Sequence, residues 1–380
     1  MFGIKLGLKN ISCLLEKLRF PHKKLHFIHV AGTNGKGSVC AMISAILTSA
    51  GIKTGLYTSP HLIDVKERIR VNERDITKKE ILQIAKKVVP FAKPETTYFE
   101  ILTAIAIEHF NQMGVEIAIM ETGMGGRLDA TNICHGEIAV ITDISMDHVQ
   151  YLGDTLEKIK NEKMAIIKPG STAIIAGSID YNYKIISRSL DFQKIRIGRY
   201  DNLKLNLLGD HQARNCALVL KVIDVLIDKG YRIPVKSITL GLEHTRWPAR
   251  FQVLKKKPVI ILDGAHNPAA AIVLQDTVKK YIGAKVTLII GMLKDKDYAT
   301  VLKNLLPIAK NIITVTPKSD RALDGKTLKE LITNKPVEYK KSLQEALDAI
   351  SSESPALITG SLYLAGEALR YFERNENYSI

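Results

Sequence analysis

The sequence predicts an α/β fold in two parts: a larger N-terminal domain built on a mostly parallel sheet, then a smaller doubly wound, Rossmann-like C-terminal domain. Three observations carry that expectation. Strand-length apolar runs alternate with segments of helical period along almost the whole chain, the pattern of a parallel sheet covered by helices. A glycine-rich turn joins the first apolar run to the first long helix. The alternation then resets after "LEHTRWPARFQ", where Trp247-Pro248 separates a helix ending near His244 from a new strand. Proline there favours an extended linker. The boundary is placed near Arg246–Ala249, with domains at 1–246 and 250–380.

In chain order, Leu25–Val30 reads as a buried strand and Ser38–Ala50 as a helix. Thr54–Tyr57 is a short strand. Phe99–Met113 is a helix with Ile101 and Ile105 on one face. Val115–Glu121 and Ile138–Ser145 are strands, and Thr155–Ile167 and His211–Ile227 are helices. Past the linker, Val259–Asp263, Val286–Gly291, Ile312–Thr316 and Ala356–Thr359 are strands, each followed by a helical segment. Residues 171–206 are the least readable stretch.

Composition narrows the function classes. The 380 residues are 46% hydrophobic and 24% charged, as expected of a globular chain with a large core. No apolar run approaches the length that crosses a bilayer, and Met1-Phe2 opens no signal-peptide pattern. Cys13, Cys40, Cys134 and Cys216 are scattered with no C-x-x-C pair, so neither a zinc site nor a disulfide framework is indicated. A reducing cytoplasm is the expected setting. The net charge of +15 comes from lysines spread along the chain, with one dense run at Lys255–Lys257. Without zinc-finger spacing or an aromatic-rich RNA-binding signature, this reads as diffuse surface charge with a contribution from anionic substrates. No nucleic-acid or membrane partner is expected.

The stretch "HVAGTNGKGSV", His29 to Val39, has the strand–glycine turn–helix context of a phosphate loop (P-loop). Gly32, Gly35 and Gly37 let the backbone approach an anion closely, and Thr33, Asn34 and Lys36 complete the cradle. The helix N-terminus that follows favours negative charge. The spelling departs from G-x-x-x-x-G-K-[ST], because Gly37 follows Lys36 and Ser38 comes one place late. Ser38 is therefore read as a cap for the helix it opens.

With further segments the chain resembles a family: folylpolyglutamate synthase and dihydrofolate synthase, within the muramyl-ligase superfamily of ATP-dependent amide-forming enzymes. The segments are "YTSPHLIDVKERIRVN", "TYFE", "METGMGGRLDATN", "ITDISMDH", "NEKMAIIKPG", "GDHQARN", "WPARFQ", "ILDGAHNP", "GMLKDKDY" and "ITGSLYLAGEALRYF". They follow the family's order over nearly the whole length. The resemblance implies that ATP phosphorylates a carboxylate of dihydropteroate or a reduced folate, and that the amine of L-glutamate attacks the acyl phosphate.

It also assigns roles. Thr33, Asn34, Gly35, Lys36, Gly37 and Ser38 would contact ATP, joined by Asn215, Arg250, Asp263 and His266. Because Arg250 and Asp263 lie past the linker, ATP would sit between the domains, and closure would complete the site. Ser59, Glu121 and His148 would hold Mg2+. Glu121 ends an apolar strand, where α/β proteins bind ligands. Lys36, Lys163 and His148 would be catalytic. Lys163, on residues alone a solvated helix lysine, would be carbamylated, which needs an uncharged amine and hence a lowered pKa. Thr97, Phe99, Leu128, Asp129 and Ala130 would face the folate precursor, with an aromatic wall and a carboxylate acceptor for ring N–H groups. "RLDATN" implies that dihydropteroate is accepted.

Two departures stand out. "IKLGLKNI" begins almost at Met1, with Lys5 where some dihydropteroate-binding members carry an acid. Ala249 replaces a glycine, a change tolerated if its φ is negative. A muramyl-peptide ligase is the nearest alternative, but it needs a domain before the phosphate loop, and about two dozen residues stand there, fewer than a domain requires. A non-catalytic nucleotide-dependent, nucleic-acid-binding protein is the alternative that draws on the net charge. A monomer is expected.

Overall fold

The computed structural model describes residues 6–179, 182–351 and 354–375; Lys5 lies outside them. The strands are β1 (His26–Ala31), β2 (Thr54–Tyr57), β3 (Ile69–Val71), β4 (Arg74–Asp75), β5 (Ile117–Glu121), β6 (Gly136–Ile141), β7 (Thr172–Ile175), β8 (Tyr183–Arg188), β9 (Gln193–Ile197), β10 (Tyr200–Leu205), β11 (Gln252–Lys256), β12 (Val259–Leu262), β13 (Val286–Ile290), β14 (Ala309–Thr314), β15 (Val337–Tyr339) and β16 (Ala356–Thr359). Two compact units emerge. One takes residues up to 184, 197–203 and 212–245; the other takes 185–196, 204–211 and 246 onward.

The first unit is organised by a seven-stranded sheet in the order β4-β3-β2-β5-β1-β6-β7. Its centre is parallel, and β3 and β4 turn antiparallel at one edge. β5 is buried along its whole length and β1 everywhere but His26, as strands covered on both faces must be. Their near-continuous Ile, Val and Ala content follows from that burial. On one face Phe27, Tyr57, Ala118 and Met120 join a core with the helix Tyr98–Gln112. The register places Val30 opposite Glu121 on one side and Val140 on the other. The carboxyl ends of β1, β5 and β6 therefore lie side by side, where ligands bind in such sheets.

The second unit carries a six-stranded sheet, β11-β12-β16-β13-β14-β15, parallel except for β11. Its core joins β13, β14 and the helix Pro268–Tyr281 through Leu288, Ile290, Ile312, Leu274 and Val278. The α/β class read from the sequence thus holds for both units. The stretch that resisted reading contains β7 and a separate three-stranded sheet, β10-β9-β8. β8 is exposed or half-buried throughout, so it lacks the apolar run that marked the other strands.

Ala249 does not meet its condition. Its φ is +57°, in the left-handed region where a Cβ costs about 1–2 kcal/mol. Hydrogen bonds hold it there: its N–H donates to Gln252 Oε1 at 2.9 Å, and its carbonyl accepts from the Gly264 N–H at 2.9 Å.

Candidate functional site

The phosphate loop leaves β1 at Ala31 and enters the helix Lys36–Ser49. It is braced by the segment after β6. Thr33 N–H donates to the Asp143 carbonyl at 2.6 Å. The Thr33 hydroxyl donates to the Ser145 carbonyl and accepts from the Ser145 N–H, both at 3.0 Å. Thr142 donates its hydroxyl to the Asn34 carbonyl at 2.8 Å. Gly32 has φ +153°, and a Cβ there would lie 1.8 Å from Thr142 Oγ1, so only glycine fits this approach.

Two lysines converge on this loop. Lys36 Nζ folds back to donate to the Gly32 and Thr33 carbonyls at 3.1 and 3.2 Å. Lys163, on the helix Leu156–Met164, donates to the same Gly32 carbonyl at 2.7 Å. The Lys163 side chain belongs to a residue only 4% exposed, so it is not the solvated helix lysine its spacing suggests. Burial, with the Lys36 charge as the second cause, pulls its pKa down to about 7. A large share of its amine is then uncharged near neutrality.

Ser38 does not cap the helix. Gly35 occupies the cap position with φ +88° and no side-chain bond. Ser38 lies three residues further in, buried, and its hydroxyl accepts from Gln212 Nε2 at 3.1 Å. Gln212 Oε1 in turn accepts from Asn215 Nδ2 at 3.0 Å. A Cβ on Gly35 would meet Asn215 Oδ1 at 2.8 Å, so Asn215 packs directly on the loop. Sequence reasoning missed Gln212; its place in "GDHQARN", one helical turn before Asn215, was the available signal.

Glu121 ends β5 buried, 4% exposed, and its Oε2 accepts from the Ser59 N–H at 3.0 Å. The structure thus brings Ser59 and Glu121 together. His148, with φ +50°, follows the loop that braces the phosphate segment; its Nε2 lies 3.7 Å from Asp147 Oδ2. Among the described residues no three His, Cys, Asp or Glu side chains form a metal cage. Magnesium needs none, because it binds through one or two carboxylates plus waters and substrate phosphates. Glu121 and Ser59 fit such a cation.

In the precursor region Thr97 caps the helix Tyr98–Gln112 in a reciprocal pair with Glu100, accepting from the Glu100 N–H at 3.2 Å while Glu100 Oε2 accepts from the Thr97 N–H at 2.8 Å. Phe99 stacks on Tyr57 with centroids 5.9 Å apart, and a Cβ on Gly123 would lie 2.7 Å from its ring. An aromatic wall therefore stands beside the "METG" turn. Leu128 is half-buried and Ala130 buried. Asp129 is 5% exposed. Its carboxylate already accepts from the Met124 N–H at 2.9 Å, the Thr131 N–H at 3.0 Å and the Thr131 hydroxyl at 2.6 Å. It organises its own loop first.

In the second unit, Arg250, Asp263 and His266 gather around one turn. Arg250 Nη1 donates to the Ala249 carbonyl at 3.0 Å and lies 2.8 Å from where a Gly264 Cβ would be. Asp263 accepts from the Phe251 and Ala265 N–H groups, each at 2.8 Å. Burial raises its pKa, against the Arg250 charge and these two bonds. His266 Nδ1 donates to the Gly264 carbonyl at 2.8 Å.

Residues 30–188 match the Mur ligase middle domain, and residues 249–362 match the Mur ligase glutamate ligase domain. The dihydrofolate synthase/folylpolyglutamate synthase of Bacillus subtilis is 32% identical over 409 residues, covering 96% of this chain and 95% of that protein. Escherichia coli FolC, solved in complex with DHPP and ADP, superposes with a TM-score of 0.87 at 28% identity, over 97% of this chain and 94% of that one. The bifunctional folylpolyglutamate synthase/dihydrofolate synthase of Yersinia pestis, complexed with AMPPNP and Mn ion, gives 0.86 at 28% identity, over 97% and 94%. The chain also spans about half the length of two further curated relatives, 48% and 49% of them.

Proposed function

This chain belongs to the folylpolyglutamate synthase/dihydrofolate synthase family of Mur ligases, and on that premise we propose that it is an ATP-dependent ligase joining L-glutamate to dihydropteroate or a reduced folate. The observation that carries this reading is the meeting of Lys36 and Lys163 on one loop carbonyl, just past the strand that neighbours the one ending in Glu121.

In this reading a precursor carboxylate oxygen bonds to the γ-phosphorus of ATP as the bond to ADP breaks. The glutamate ammonium loses one proton, its nitrogen attacks the acyl carbon, phosphate leaves, and the nitrogen loses a second proton to give the amide. Loop N–H groups and Lys36 receive the phosphates once Lys36 swings off its own carbonyls. Asn215, Arg250, Asp263 and His266 are the further nucleotide contacts. Glu121 and Ser59, joined by His148, would hold a magnesium ion, which when bound would offset the charge of the transferring phosphoryl group. The Lys163 amine takes up CO2, forming an N–C bond and releasing a proton, and the resulting anionic carbamate faces the same region. Phe99, Leu128, Asp129 and Ala130 border the precursor, with Thr97 setting the helix that presents Phe99. The reading carries a cytoplasmic monomer divided functionally at 1–246 and 250–380, taking small molecules and no nucleic acid.

The test is ADP release from the purified protein with ATP, Mg2+ and L-glutamate, with dihydropteroate or a reduced folate as acceptor. Release that needs glutamate and one acceptor is expected; release indifferent to both, or stimulated by DNA or RNA instead, removes the proposal. Glu121→Gln keeps the shape and removes the charge. Turnover should fall about 10- to 100-fold, partly restored by raised Mg2+. Unchanged turnover across a Mg2+ titration would show that Glu121 is not a ligand.

A further inference from the structure

β1 carries a buried histidine that the proposed reaction does not use. His29 is fully buried and, by strand alternation, shares a sheet face with Phe27, whose cluster includes Ala130 and Cys134. Its Nε2 lies 2.8 Å from Thr131 Oγ1. The Thr131 hydroxyl has a single proton, and it lies 2.6 Å from Asp129 Oδ1. A carboxylate can only accept, so that proton goes to Asp129 and Thr131 must accept from His29. The ring is therefore the Nε2–H tautomer. Burial, with the Lys168 charge as a second cause, lowers its pKa to about 3 and keeps it neutral.

Among the described residues the Nδ1 lone pair has no partner. An unsatisfied buried polar atom of this kind costs about 1–3 kcal/mol, which an apolar residue would avoid. The Thr131 and Met124 N–H groups alone would close the Asp129 turn. What His29 adds is a rigid tie from that turn to the strand that runs two residues later into the phosphate loop.

We propose that His29 is a positioning residue for the precursor: through the Thr131 hydroxyl it fixes Asp129, and with it the 128–130 segment, against β1, so that the precursor carboxylate is held in register with the phosphate loop. This rests on the ligase reading above. Losing the tie loosens the precursor segment while leaving Thr33, Lys36 and their braces in place. The split between substrates is the mark of such a role.

The experiment compares His29→Leu and Thr131→Val, which break the chain, with His29→Gln and Thr131→Ser, which keep a donor and a hydroxyl. Kinetics are measured with ATP, L-glutamate and dihydropteroate. The breaking variants should raise the dihydropteroate KM about tenfold with the ATP KM unchanged, and the conservative pair should restore it. An unchanged dihydropteroate KM, or an equal loss in every parameter, overturns the proposal. Nitrogen NMR of unmodified protein gives a readout independent of variant folding: an Nε2–H tautomer is expected, and an Nδ1–H tautomer overturns the relay. Glutamate-dependent ADP release by the wild type tests the ligase reading by itself, so the two can fail separately.

Discussion

Lys163→Met should give a protein that is more stable and almost inactive. The methionine occupies the same buried position without an amine, so no carbamate forms and turnover is expected to fall on the order of 10²–10³-fold. Stability moves the other way. Lys163 is almost fully buried, and its pKa in the fold is about 7, against an ordinary value of 10.5. Between those values the unfolded chain binds the proton and the folded one does not. Wild-type stability therefore rises with pH across that window, and the full penalty is felt below about pH 7. The methionine variant escapes it by a few kcal/mol at neutral and lower pH, with the gain fading toward pH 10. Denaturation at several pH values in CO2-depleted buffer checks this. Equal slopes in both proteins would show that the amine is not held neutral. Carbon NMR of the wild-type protein in 13C-labelled bicarbonate should show a carbamate carbon that the Lys163→Met variant lacks.

Gly32→Ala should cost about 3 kcal/mol and remove nucleotide binding. The new methyl collides with Thr142 Oγ1 at 1.8 Å and crowds the Asp143 carbonyl at 3.1 Å. Its backbone also sits where an L-residue is strained. Relief would push the Thr142 hydroxyl off the Asn34 carbonyl and turn the Gly32 carbonyl away from both lysines. Adding Thr142→Ala should recover part of the stability, because the Asp143 contact and the φ strain remain. Calorimetry with ADP reads the binding loss. Wild-type affinity in the single variant would mean that the loop rearranges freely, contrary to its dense bracing.

The phosphate loop, the strand ending at Glu121 and both parallel sheets were legible because each rests on local grammar: glycines before a helix, apolar runs between turns. What escaped depends on distant partners. Nothing around Lys163 marks it as buried, since its helix is polar and its amine reaches a carbonyl 131 residues away in sequence. Ser38 looked like a cap because serine is favoured there, yet the cap position belongs to Gly35 and the hydroxyl answers to a glutamine 174 residues away. His29 carried no signal beyond opening the loop motif. Ala249 was expected to be tolerated with a negative φ, whereas its φ of +57° is held by bonds to Gln252 and Gly264. The strand β8 escaped because it has no buried face to impose a period on its residues.

The path of the chain between 184 and 212 has one more consequence. Segments 185–196 and 204–211 belong to the second compact unit although the first unit's chain resumes between and after them. Tyr281 donates to Gln193 at 2.8 Å, Lys280 pairs with Asp210 at 2.6 Å, and Lys256 pairs with Asp191 at 2.6 Å. A gene cut at the Trp247-Pro248 linker would therefore strand twenty residues with the wrong fragment, 185–196 and 204–211 counted together. The second unit's sequence is thus discontinuous, and a cut at that linker divides one compact unit rather than separating two.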